Sequence, residues 1–155
     1  MIKTLKLKNY FLWQSDNGQS LILFLNRLLL HGKESRCRTR FINLLAERQM
    51  EIEKQRKEIL LSHCKKVKGE PVYLDKENKE TTDKEKGIKY AIQDQEAFAK
   101  ELSEYLNEDF VVDVTPATSE AVYGVRDILN ETKEEFSGIE AQRYFEWCEA
   151  LNNIK

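Results

Sequence analysis

Alternating apolar and polar positions at the start of the chain predict a β-strand over residues 2–8. The alternation is clearest from Leu5 to Lys8, which is the period of a strand with one solvated face. A β-rich run at residues 110–114 is expected to form a central strand that pairs with residues 2–8. A turn is predicted at residues 15–18. These two strands define a small antiparallel sheet.

After the predicted turn, apolar residues recur at the spacing of a helix. Residues 19–30 are apolar nearly all round, which predicts a short buried helix. Gly32 is expected to end it in a left-handed conformation. We expect Ser35 to cap a second helix over residues 36–63. The two helices together predict a long helical hairpin.

The second predicted helix has apolar positions at its two ends and a charged centre. Its charged centre, residues 47–58, is expected to project into solvent and offers the pair Glu53 and Lys57 at i,i+4. The apolar positions with helical spacing are Phe41, Leu44, Leu45, Ile52, Ile59 and Leu60.

The pattern of apolar positions changes at residues 67–92 and predicts a β-hairpin. Apolar segments at 72–74 and 88–92 flank residues 75–86, which include no hydrophobic side chain. We expect residues 75–86 to form a long mobile loop that is chiefly a solvated connection.

Three further helices are predicted in the last third of the chain. Asp94 caps the first, Thr115 and Pro116 open the second, and Ser137 with Glu140 forms a capping box at the third. The predicted buried positions of the first are Phe98, Leu102, Tyr105 and Leu106. Those of the second are Ala117, Ala121, Val122, Val125, Ile128 and Leu129. Those of the third are Ala141, Tyr144, Phe145, Cys148 and Leu151.

Together these elements predict a predominantly helical α+β fold. The helical hairpin and the C-terminal helices are expected to pack on the small antiparallel sheet, which the 72–92 hairpin would extend. A chain of 155 residues has the length of one ordinary domain, so residues 1–155 are interpreted as a single domain.

The charges divide unevenly along the chain. Residues 94–155 carry 15 acidic and 5 basic side chains, and residues 1–93 carry 12 acidic and 20 basic ones. The segments therefore have net charges of −10 and +8. Such a division indicates two parts that attract each other or a basic surface for an acidic partner.

The apolar segments and the cysteines favour a cytoplasmic protein. The longest uncharged apolar run, residues 21–26, is too short to span a bilayer, and residues 1–9 lack the pattern of a signal peptide. The three cysteines, Cys37, Cys64 and Cys148, have no metal-like spacing and are expected to be reduced and buried.

Catalytic, metal and cofactor motifs are weak. His31 and His63 are the only histidines, and each is expected at a helix end, where a simple structural role suffices. His63 and Cys64 are adjacent and point about 100° apart on a helix, so they do not form a ligand pair. We therefore expect no enzyme activity, no metal and no cofactor.

A group of basic residues stands where the second helix begins. Lys33, Arg36, Arg38 and Arg40 crowd its first turns, where the helix dipole is positive and acidic side chains are usual. The favoured interpretation is ion pairing with the acidic C-terminal helices, which would leave Arg38 free. The alternatives are a surface for an acidic protein partner and, less favoured, phosphate or nucleic-acid binding. The predicted partner-binding residues further include Arg48 and Lys54 in the charged centre of the helix.

Two segments resemble an uncharacterised family of short proteins encoded by tailed phages and prophages of Gram-positive bacteria. They are residues 32–41 (GKESRCRTRF) with the following INLLAER, and residues 107–117 (NEDFVVDVTPA). Phe136-Ser137-Gly138 and Trp147-Cys148-Glu149 resemble it as well. The resemblance carries no activity. It implies a phage product that acts in the cytoplasm of the host cell or is built into the virion.

These observations leave three functional hypotheses. The first is a non-enzymatic protein that binds and modulates a host protein, for example as an inhibitor of an antiviral defence system. The second is a structural or assembly accessory of the phage particle. The third is a nucleic-acid-binding regulator that uses Arg36, Arg38 and Arg40.

Overall fold

The computed structural model describes residues 2–13 and 20–155. Its fold is α+β and predominantly helical, as the periodicity predicts. The chain divides into two compact units, one formed by residues 1–50 and 106–155 and the other by residues 51–105. The turn predicted at 15–18 and the predicted first residue of the following helix, Gln19, lie outside the described residues.

The bounds of the elements follow the sequence patterns closely in most places. In chain order they are β1 (Lys3–Lys8), a 3-10 helix (Asn9–Leu12), α1 (Leu21–Arg27), α2 (Lys33–Ser62), β2 (Lys66–Val67), β3 (Glu70–Pro71), β4 (Tyr73–Leu74), β5 (Glu80–Thr81), β6 (Lys89–Tyr90), α3 (Gln95–Leu106), β7 (Asp109–Val114), α4 (Ser119–Glu131) and α5 (Gly138–Asn152).

The sheet of the first unit confirms the predicted pairing of the two terminal strands. β1 and β7 run antiparallel, with Leu5 opposite Val112 and Leu7 opposite Phe110. β7 is not a central strand, however, because among the described residues this sheet consists of β1 and β7, and the 72–92 segment forms a sheet of its own. Val112 is consequently only half-buried, whereas Leu5 is fully buried.

The connection between α1 and α2 departs from the prediction. α1 ends at Arg27, because Leu28 is extended, and the side chain of Leu29 is fully exposed. Gly32 is left-handed (φ +62°), as expected, but it precedes α2 rather than ending α1. Its carbonyl accepts a hydrogen bond from the Arg36 N–H at 3.2 Å, so the helix begins ahead of Ser35, which was wrongly predicted as the cap.

α2 is one continuous helix of 30 residues, three residues longer at its start than predicted. Phe41, Leu45 and Ile52 are buried at helical spacing, whereas Leu44 is exposed. In the charged centre, Glu53 pairs with Arg56 at 3.5 Å rather than with Lys57, since i,i+3 neighbours also share a helix face.

The 75–86 segment has more structure than a solvated loop. Asp75 accepts hydrogen bonds from the N–H groups of Glu77 and Lys79, both at 2.9 Å, and so forms a turn. This turn brings β5 alongside β4, on the edge opposite β6. Residues 75–86 are therefore more than a solvated connection, because side-chain oxygens of turn residues can organise a segment that has no hydrophobic residue. The mobility expected for this segment stays a prediction.

A second hairpin in this unit was missed. β2 pairs with β3 across a turn at Lys68 and Gly69, both of which have positive φ. The predicted capping of α3 is confirmed, since Asp94 Oδ1 accepts a hydrogen bond from the Ala97 N–H at 3.1 Å. The predicted core face of α3 is only half-buried throughout.

α4 begins later than predicted. Thr115 and Pro116 lie in a turn, and Thr118 is the residue that precedes the helix. The Thr118 hydroxyl donates to the carbonyl of Asp113 at 2.8 Å and so ties this turn to β7. Five of the six predicted core positions of α4 are buried, and Ala117, in the turn, is exposed.

α5 follows its predicted range, and of its predicted core residues Leu151 is buried, Phe145 is exposed and the other three are half-buried. Trp147 is fully buried against Phe24, with ring centroids 5.4 Å apart, whereas Phe145 is 61% exposed. The predicted capping box is not formed, since the Ser137 side chain makes no capping bond and Glu140 pairs with Arg27. A partner from another helix has replaced the local one.

Candidate interaction groove between α2 and α4

The fold places the basic start of the chain and its acidic end in one compact unit. The first unit has 13 basic and 14 acidic side chains, and the second unit has 12 basic and 13 acidic ones. Each unit therefore carries a net charge of −1. The two units therefore have the same net charge, although the two parts of the sequence have opposite net charges.

Ion pairs within the first unit join these two parts of the chain. Lys8 pairs with Asp109 at 2.9 Å, and Arg27 pairs with Glu134 at 2.9 Å and with Glu140. Arg27 also lies over the ring of Phe24, with its guanidinium carbon 4.9 Å from the ring centroid. These pairs are partly exposed, so each contributes little to stability. Their effect is to neutralise much of the basic charge internally.

Arg38 is not the free arginine that the sequence suggested. Its Nη1 donates to the carbonyls of Leu25 at 3.0 Å and Leu28 at 2.6 Å. These carbonyls lie at the end of α1, where backbone acceptors have no partner inside the helix and the dipole favours a cation. Arg38 therefore holds the end of α1 against α2.

The other basic residues at the start of α2 differ in their surroundings. Lys33 and Arg40 both approach Glu120 on α4, at 3.9 Å and 3.8 Å, and both side chains are well exposed. Arg36 is exposed and has no ion-pair partner in the part of the chain that the structure describes. The side chains of this predicted group thus point to different environments.

The two basic residues predicted farther along α2 are also separated. Arg48 donates from Nε to Asn9 Oδ1 at 2.9 Å and lies over the ring of Phe110 at 5.1 Å. It therefore supports the end of β1 and the start of β7. Lys54 is exposed and belongs to the second unit. The structure does not bring the five predicted residues of the first unit together as one basic patch.

The two helices α2 and α4 approach closely at Cys37 and Gly124. A Cβ atom at position 124 would lie 2.6 Å from Cys37 Sγ, so the contact depends on the missing side chain. Beside this contact lies a cavity of 380 Å³. Its lining residues are Lys33, Glu34, Cys37, Ser119, Glu120, Tyr123, Gly124, Asp127, Ile128 and Glu131.

A second cavity, of 510 Å³, continues the first. The two share Glu34, Ile128 and Glu131, and the second adds the extended segment Leu28–Leu30 as an apolar wall. We call the two together the acidic groove, because five carboxylates line it and only two cations, Lys33 and Arg27, do so among the described residues. The carboxylates that line it are Glu34, Glu120, Asp127, Glu131 and Glu134.

The acidic groove was not predicted from the sequence. Glu120, Asp127 and Glu131 are spaced by seven and four residues, which places them on one helix face. That spacing was the available signal, but the acidic C-terminal helices were considered only as ion-pair partners for the basic residues of α2. Only the packing of α4 against α2 turns this face into the rim of a groove.

The described ranges, 2–13 and 20–155, contain no group of three or more histidine, cysteine or acidic side chains arranged to hold a metal ion. No helix there is long and apolar enough to cross a membrane. His63 bonds to Glu101 and lies 6.0 Å from the ring of Phe98, and His31 is exposed. Cys37 and Cys64 are buried, and Cys148 is half-buried.

No family model matches the chain, and neither the curated proteins nor the solved structures contain a match.

Proposed function

We propose that this protein is a non-enzymatic binding protein that holds a segment of a partner protein in the acidic groove. The observation that carries the proposal is that apolar side chains, including Ile128 and Leu29, and five carboxylates line the same pair of cavities. Apolar contact gives affinity and charged rims give specificity and association rate. The partner segment is therefore expected to be amphipathic and basic.

The dimensions of the groove suit a short helical segment. α4 has 13 residues and so spans about 20 Å, which corresponds to roughly three to four helical turns of a bound partner. Leu29, fully exposed at one end of the groove, offers a contact for an apolar side chain of that segment.

The resemblance to short phage proteins fits a host protein as the partner, as it also fits a protein of the phage particle. With a host partner, the protein modulates a host enzyme in the bacterial cytoplasm, for example an antiviral defence enzyme, by covering one of its basic surfaces. Nucleic acid is the less favoured partner, because each unit has a net charge of −1 and the groove is acidic.

The test is capture of the tagged protein's partners from infected cells with two matched variants. Asp127→Lys/Glu131→Lys reverses two charges of the groove, and Glu58→Lys/Glu85→Lys makes the same charge change at exposed positions of the second unit. We expect wild type and the second variant to recover one host complex and the groove variant to lose it, by at least about 10-fold in affinity. Far-ultraviolet circular dichroism checks that all three are folded.

Three other outcomes contradict the proposal. Equal recovery by all three proteins excludes the acidic groove as the binding site. Recovery of only capsid and tail proteins supports a structural or assembly accessory of the particle instead. Retention on DNA that falls steeply with salt and disappears in Arg36→Ala supports the nucleic-acid regulator.

A further inference from the structure

The outer edge of β7 has backbone groups that face away from β1. The Asn9 N–H donates to the Glu108 carbonyl at 3.0 Å, which shows which residue pairs of β1 and β7 exchange hydrogen bonds. In an antiparallel pair, bonded and non-bonded positions alternate, so Phe110, Val112 and Val114 bond to β1. The N–H and C=O groups of Asp109, Val111 and Asp113 therefore point to the other side.

Three hydrogen bonds elsewhere confirm this alternation. On β1 the outward residue Thr4 exchanges bonds with Lys155, as donor at 2.6 Å and acceptor at 3.2 Å, so one residue already pairs with that edge. On β7 the outward carbonyl of Asp113 accepts the Thr118 hydroxyl. Within residues 2–13 and 20–155, the backbone groups of Asp109 and Val111 have no such partner.

The side chains around this edge are incompletely covered. Val111 is 55% exposed on the outer face of the sheet. On the inner face Val112 and Val114 are only half-buried, whereas Leu5 and Leu7 of β1 are fully buried. A further strand beside β7 would cover Val112 and Val114 and satisfy the backbone groups of Asp109 and Val111.

We propose that the outer edge of β7 binds an extended basic segment of another protein by strand addition. Asp109 and Asp113 flank Val111 on the outer face, so the edge favours a strand in which cationic residues alternate with apolar ones. β1 already shows this match on the other side, where Lys8 pairs with Asp109 and Lys6 lies opposite Val111. Asp113 has no ion-pair partner among residues 2–13 and 20–155.

The same carboxylates disfavour a second copy of the chain at this edge. Pairing two β7 edges would bring Asp109 and Asp113 of one copy against the same acidic strand of the other, and like charges across a strand pair are destabilising. The edge is separate from the acidic groove, so this proposal does not depend on the proposed function.

The probe for this edge is a capped peptide that alternates lysine and valine, compared with one that alternates glutamate and valine. The Val111 N–H points away from β1, so Val111→Pro removes this donor and keeps every hydrogen bond to β1. Proline is tolerated at such a position of an edge strand. Val111→Thr keeps the N–H and is the matched control. Hydrogen exchange of single amides in the full chain reports which edge is covered.

We expect the lysine peptide to slow exchange at Asp109 and Val111, while the amides of Phe110 and Val112 are slow with or without it. Val111→Pro should weaken binding of the peptide by about 3- to 10-fold relative to Val111→Thr, as expected for a lost hydrogen bond. The glutamate peptide should give no protection.

The proposal is overturned if both peptides protect the edge equally, or if Val111→Pro and Val111→Thr bind the lysine peptide alike. It is also overturned if the edge amides of the peptide-free protein are protected in proportion to protein concentration, since a second copy would then be the occupant.

Discussion

Gly124 on α4 leaves room for the thiol of Cys37 on α2, and the two helices meet at this contact. A methyl group at 124 would lie 2.6 Å from Cys37 Sγ and 2.9 Å from its Cβ. Gly124→Ala is therefore expected to destabilise the protein by about 1–2 kcal/mol, although alanine is the better helix former. Urea unfolding measures the loss.

Cys37→Ala in the Gly124→Ala background should recover part of that loss, because it removes Sγ but leaves the second contact. A Gly124→Ala protein as stable as wild type would show that the two helices separate without cost.

Arg38 and Arg36, two residues apart on α2, should respond very differently to the same substitution. Arg38→Met removes two charge-assisted hydrogen bonds to the end of α1 and should cost about 1–2 kcal/mol. Arg36→Met removes an exposed cation and should stay within about 0.5 kcal/mol of wild type. Equal losses in chemical denaturation would argue against the capping role of Arg38.

The two predicted helix caps are expected to differ in the same way. Asp94→Ala should destabilise by about 1 kcal/mol, because the carboxylate accepts the Ala97 N–H. Ser137→Ala should have almost no effect, because its hydroxyl makes no capping bond. Thermal unfolding of both variants tests this, and a larger loss for Ser137→Ala would restore the capping box.

Substitution by aspartate should have different effects at two opposite positions of the sheet, one on the buried strand and one on the edge strand. Leu5→Asp places an unpaired charge at a fully buried position and should prevent folding. Val112→Asp lies directly opposite but at a half-buried position, and should leave a folded protein destabilised by roughly 1–3 kcal/mol. Circular dichroism distinguishes the two, and unfolding of both variants would mean that β7 is covered like a central strand.

Two tyrosines should make the protein sensitive to alkaline pH. Burial, together with the hydrogen bond to Glu146, raises the pKa of Tyr10 to about 12, and burial raises the pKa of Tyr144 to about 12. Their ordinary pKa is 10.0. Because the folded state holds these phenolic protons more tightly, their stabilising contribution is complete below pH 10 and is lost as the pH rises towards 12.

Tyr10→Phe and Tyr144→Phe should each reduce this loss of stability, measured by urea unfolding at several alkaline pH values. Ultraviolet absorbance of tyrosinate should lose part of its high-pH transition in each variant. A stability that is independent of pH across this range in wild type would contradict both shifts.

The acidic groove shows where local patterns stop being informative. The spacing of Glu120, Asp127 and Glu131 places them on one face of α4, and that follows from sequence alone. That the face borders Cys37 and Leu28–Leu30 depends on helix packing between distant segments. Internal pairing of the basic residues was expected, and Lys33 and Arg40 do approach Glu120. The backbone carbonyls at the end of α1 that Arg38 contacts could not be predicted from the sequence.

The sequence by itself determined the predominantly helical α+β fold, the pairing of residues 2–8 with residues 110–114, and the cap at Asp94. The fold class, the two strand segments and the cap depend on period and local capping chemistry, which act over a few positions. The tertiary structure decided which face of α5 is buried, because Trp147 packs on Phe24 while Phe145 is left in solvent. It also decided that β7 is an edge and that the charge division becomes ion pairing within one unit, since both depend on contacts between residues about a hundred positions apart.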